Sequence, residues 1–181
     1  MAILKIARMG HPVLKRRATE VPDPTAPAIR RLVDDMVETM TDAGGAGLAA
    51  PQVHVPLRVV VFHVPPGRSG ETVALTVLVN PVVEILTDDR VSDFEGCLSV
   101  PGFVGVVPRA TRVRYRAVGL DGVAFEREAE GFHARVVQHE CDHLDGILYP
   151  QRMTDMRLFG YVDEVKRALA PAEAARAQAA D

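Results

Sequence analysis

His139 and His143 stand four residues apart in the run Gln138-His139-Glu140-Cys141-Asp142-His143-Leu144-Asp145-Gly146. At that spacing two side chains lie one above the other on a single face of an α-helix. Two imidazoles so placed can hold one metal ion, with the intervening Glu140 beside it as a general base. Gly146 suits the left-handed position that closes such a helix. Two ligands do not complete a catalytic centre, which takes three from the protein and leaves a position for water. The third ligand decides the chemistry.

Downstream of His143 there is no further histidine or cysteine. The HExxHxxGxxH protease pattern is matched through Gly146 but puts Tyr149, a poor zinc ligand, at its last position. Another protease layout takes a glutamate from a later helix, for which Glu164 is the candidate, although an amphipathic helix would carry it as an ordinary surface carboxylate. Upstream, Cys97 is the better candidate, lying in the glycine- and proline-flanked segment Asp93-Phe94-Glu95-Gly96-Cys97-Leu98-Ser99-Val100-Pro101-Gly102. One thiolate and two imidazoles make a three-ligand site with a place for water. Cys141 is about 200° round the helix from His139 and should face the core with Val137 and Leu144. His11, before Pro12, reads as a loop histidine, and His54 and His63 have no partner motif beside them.

A third dense stretch, Gly44-Gly45-Ala46-Gly47-Leu48-Ala49-Ala50-Pro51-Gln52, has small residues packed closely enough to imply close approach to the backbone. It lacks the phosphate-loop signature, which leaves a helix-to-strand turn or a ligand-contacting loop.

GAGLAAPQ at 45–52, EGCLS at 95–99 and QHECDHLDG at 138–146 together resemble the peptide deformylases, in order and in spacing. The resemblance runs from the N-terminal segment through the last helix. It implies removal of the formyl group from the initiator methionine of nascent polypeptides, with release of formate. It implies Cys97, His139 and His143 as ligands of one divalent ion, iron(II) natively, with zinc, nickel or cobalt able to substitute. Glu140 becomes the acid–base residue. The Gln52 side-chain amide and the Leu98 backbone N–H become, with the metal, the stabilisers of the oxyanion. Gly45 and Gly47 would lie along an extended substrate, and Arg109 would contact the substrate backbone. Ala46, Phe132 and Val136 are candidates for an apolar methionine pocket.

The surrounding elements must position these motifs. Ile29, Leu32, Val33, Met36, Val37 and Met40 follow helical spacing, with Thr25 as a cap and an end near Asp42. Leu57 to Val64 reads as a buried strand, and Val73–Val79 and Val82–Leu86 as two more, broken by Asn80-Pro81. Val113, Tyr115 and Ala117 alternate with arginines and turn at Gly119–Gly122 into a hairpin. The His-bearing helix starts near Phe132, and a last one runs from Asp155 to Leu169. Short connections between strands favour antiparallel pairing, hence an α+β fold. The resemblance implies sheets wrapped around the central HExxH helix, with N- and C-terminal helices.

A chain of 181 residues makes one catalytic domain over 1–170, followed by an alanine-rich tail over 171–181. The tail is a candidate for ribosome contact. A formal charge of −3 gives no electrostatic reason to expect nucleic acid or anionic membrane as the main partner. Lys5 and Arg8 interrupt the apolar stretch at the N-terminus, so no signal peptide is expected, and two cysteines need no disulfide. The expected location is the cytoplasm.

Overall fold

The computed structural model describes residues 2–68 and 72–168; the alanine-rich stretch over 171–181 lies outside them. A helix α1 (Pro27–Asp42) leads to a short strand β1 (Gly47–Ala49), then β2 (Val59–Val64) and β3 (Val73–Ile85). β4 (Arg90–Cys97), β5 (Val100–Ala110), β6 (Arg112–Val118) and β7 (Ala124–Glu130) precede helix α2 (Gly131–Leu144), and β8 (Phe159–Tyr161) follows it. Pairing between these strands is antiparallel. The strands form a five-stranded sheet in the order β1-β2-β3-β6-β7 and a three-stranded sheet β4-β5-β8. α2 packs on both, so the fold is the expected α+β arrangement about a central helix.

β2 owes its place in the core to Val59–Val61, Phe62 and Val64, all fully buried. β-branched and aromatic residues fill the pleated surface on which α2 lies. α1 buries Ile29, Val33, Met36 and Met40, the apolar stripe read from the sequence. α2 is different: it buries Ala134, Val137, Cys141 and Leu144 and also Arg135, Gln138, Glu140, Asp142 and His143. A helix buried on nearly every side needs partners for its polar groups, and these partners become the site. Its end is a Schellman closure: Ile147 N–H donates to Asp142 O and Gly146 N–H to His143 O, with Gly146 at φ +74°.

Three local expectations change. Asn80-Pro81 does not divide two strands but bulges one: Asn80 takes φ +52°, and its side chain makes two hydrogen bonds to the Val21 backbone. α1 has Ala26 at its N-cap, because Thr25 turns back to the Asp23 carboxylate. The last segment is not one helix from Asp155. A 3-10 turn (Met156–Leu158) and strand β8 come first, and helix occupies 162–168. Phe159 and Tyr161 there stack on Phe103 of β5, which draws the chain into the sheet. No helix among the described residues is long and apolar enough to cross a membrane.

Candidate metal centre and active site

Glu95 and Cys97 lie near the end of β4, two residues apart and therefore on one face of the strand. Leu98 and Ser99 make the tight turn into β5. This turn brings Cys97 against the histidines of α2. One ligand atom each from Cys97, His139 and His143 lie within 4.8 Å of one another, the only such group of three or more among the described residues. Cys97 Sγ is 3.3 Å from His143 Nε2. His139 Nδ1 is 2.9 Å from Glu95 Oε2, which leaves its Nε2 for the centre. Burial holds the His143 pKa well below its usual value, which favours the neutral imidazole that a ligand must be. Two imidazoles and a thiol with a carboxylate behind one ring are the donor set of a divalent transition-metal centre.

Beside this centre the Glu140 carboxylate is buried, and its Oε2 has no hydrogen-bond partner among the described residues. Burial pushes its pKa up to about 7, with the opposing charge of His139 too weak to restore it. Gly47 lies against it: a Cβ there would come within 2.6 Å of Glu140 Cδ. On the other side the Gln52 amide has a fixed orientation. Its Oε1 accepts from Ala49 N–H at 2.8 Å, so its NH2 faces Ser99 Oγ at 3.2 Å and Cys97 Sγ at 3.5 Å. A cavity of about 550 Å³ opens from these groups, lined by Gly45, Ala46 and Gly47 along one wall and Phe132 and Val136 on another. Leu98 borders it as well. The three dense motifs thus meet round one pocket.

A family model described as polypeptide deformylase matches residues 3–158. Peptide deformylase 1 of Nitrosomonas europaea is 51% identical over 164 residues, spanning 89% of this chain and 93% of its own length. Among solved structures, peptide deformylase from Ehrlichia chaffeensis in complex with actinonin superposes with a TM-score of 0.81 at 31% identity, covering 94% of this chain and 98% of that one. The Met-Ala-Ser-bound class I type b enzyme from Acinetobacter baumannii gives 0.78 at 36% identity, over 84% and 100%. This chain belongs to the polypeptide deformylase family.

For a deformylase-family chain, one sequence expectation needs correcting. Arg109 does not reach the cavity. Its guanidinium is buried and forks onto Glu95 at 2.9 and 3.0 Å while also donating to Asp142 at 2.5 Å. Arg109 is therefore linked to His139 through the Glu95 carboxylate. Tyr149 is equally removed from coordination, lying in the core with its ring near-parallel to His139 at 6.2 Å. Glu164 is exposed and paired with Arg167 at 2.8 Å. Cys141 faces the core as expected, where burial pushes its thiol far up.

Sequence reasoning passed over Glu95, Arg135, Asp142, Arg152 and Ser99. Glu95 also accepts from Arg135 at 2.8 Å, and Asp142 from Arg152 at 2.6 Å. Burial alone would raise the pKa of Glu95, but hydrogen bonds from His139 and Arg109 outweigh it and hold it at about 2. The signal for Glu95 was its position two residues before a ligand, since histidines on metals commonly lean on a carboxylate.

Proposed function

We propose that this chain is a peptide deformylase that hydrolyses the N-formyl group of initiator methionine, releasing formate. The observation that carries the reading is the meeting of Cys97, His139 and His143 with a buried, underbonded Glu140 at the end of a peptide-sized cavity. Cys97, His139 and His143 would hold one divalent ion, iron(II) natively, with zinc, nickel or cobalt as substitutes. When bound, such an ion supplies Lewis acidity that lowers the pKa of a water from about 15.7 toward about 7. The residues do the rest.

Glu140 accepts the proton of the attacking water and later gives it to the departing amine. The Gln52 NH2, locked by the Ala49 N–H, and the Leu98 backbone N–H donate to the oxygen that becomes negative. Ala46, Phe132 and Val136 receive the methionine side chain. β1 is the edge strand of its sheet, so an extended peptide can add to it by backbone hydrogen bonding beside Gly45 and Gly47. The Acinetobacter relative holding Met-Ala-Ser supports a tripeptide product in this cavity. Cytoplasmic nascent chains are the substrates this implies, and the alanine-rich tail of a single 1–170 domain is a candidate for ribosome contact.

The test is formate release from formyl-Met-Ala-Ser under anaerobic conditions, with metal content measured on the same sample. Turnover with about one metal per chain is expected, and Cys97→Ala should lose the metal. A zinc endopeptidase would instead cut internal peptide bonds and tolerate Cys97→Ala. Indifference to that substitution would sink the assignment.

A further inference from the structure

The geometry points to a second binding groove for the downstream part of the substrate, selective for acidic over basic residues from about its fourth position. It rests on the deformylase reading and extends it. The groove has a volume of about 760 Å³ and lies between the N-terminal segment and the end of α1. It adjoins the catalytic cavity, because Leu98 and Pro101 border both. Its floor is tied to the active-site motifs: Ala7 N–H donates to Gln52 O and Met9 N–H to Ser99 O, each at 2.7 Å.

The path of the substrate leads there. The formyl end must lie at the centre formed by Cys97, His139 and His143. Leu48, Ala49 and Ala50 are fully buried, so a peptide on the β1 edge can leave only toward lower residue numbers. β1 begins at Gly47, and the chain before it turns through Gly45 and Gly44 into the end of α1. A peptide with its methionine beside Ala46 therefore runs past this turn, and about its fourth residue comes to Ala43. Ala43 already lines the second groove. There the chain meets Ile3, Ile6 and the exposed cations Lys5 and Arg8, with Asp42 the one carboxylate of the lining. Apolar walls with a surplus of positive charge suit a segment carrying apolar and acidic side chains.

The experiment compares kcat and KM for formyl-Met-Ala-Ser and two hexapeptides, formyl-Met-Ala-Ser-Glu-Leu-Glu and formyl-Met-Ala-Ser-Lys-Leu-Lys. The acidic hexapeptide should exceed the basic one about fivefold in kcat/KM, the size expected of two exposed ion pairs, with the difference in KM. The ratio should fall toward one at about 1 M salt, where charges are screened beyond roughly 3 Å. In Lys5→Glu/Arg8→Glu the ratio should invert. Equal kcat/KM for both hexapeptides and the tripeptide at low salt overturns the groove, as does an unchanged ratio in the double variant. The salt series on the unaltered enzyme decides the question if that variant folds poorly. No formate from the tripeptide itself would overturn the deformylase reading and the groove with it, whereas tripeptide turnover without charge preference removes only the groove.

Discussion

A carboxylate proposed to take a proton and return it cannot be held by strong donors, and Glu140 is not. It is buried, lacks a partner at Oε2 among the described residues, and has a pKa pushed up to about 7. Glu140→Gln keeps the shape and removes the base, so it should retain metal while formate release falls by about 10²–10⁴-fold. The same burial gives a pH signature in metal-free protein. The folded state holds this proton more tightly than the unfolded one, so stability declines as pH rises from about 4.5 through about 7. Melting curves should show Glu140→Gln gaining on the parent between about pH 5 and about pH 8. Gly47 is the second critical residue, because any Cβ there meets the Glu140 carboxylate. Gly47→Ala should displace that group and cost roughly 10²-fold in kcat, read in the same formate assay.

At the scale of elements, α2 is fixed at its C-terminus by Gly146. Its φ of +74° suits glycine, and a Cβ would come within 2.8 Å of the Lys15 carbonyl carbon and 2.9 Å of Arg16 N. Gly146→Ala should therefore destabilise by about 1–3 kcal/mol, measurable as a lower urea midpoint with an unchanged slope. Much of this element was legible beforehand: the ligand spacing, the glycine stop and the inward-facing Cys141 all follow from helical geometry. β4 and β5 were not legible as strands, because their glycines and prolines at 96, 101, 102 and 105 read as turn signals. Only pairing along most of both strands makes them a hairpin. Arg109 failed for a related reason. A sequence shows an arginine among alternating residues but not Glu95 and Asp142, brought to it from 14 and 33 positions away. β8 likewise exists only through the stacking of Phe159 and Tyr161 on Phe103.

Across the whole molecule, Glu95 couples the three-stranded sheet to α2 through His139, Arg109 and Arg135. Its carboxyl, held at about 2 against the usual 4.5, stabilises the fold fully above pH 4.5 and loses that contribution as pH falls toward 2. Urea titrations should find Glu95→Gln much weaker than the parent at neutral pH, with the gap closing in acid. Metal affinity should drop about 10–100-fold in the same variant. The ligand positions carry one more consequence. Both cysteines are free, so no covalent bond links distant parts of the chain. An ion bridging Cys97 and His139 would tie off a loop of roughly forty residues, restricting the unfolded chain as a disulfide of that span does, by about 4 kcal/mol on the chain-entropy estimate. The ion that serves the reaction would then also be a long-range clasp, and stripping it with a chelator should lower the melting temperature as well as end turnover.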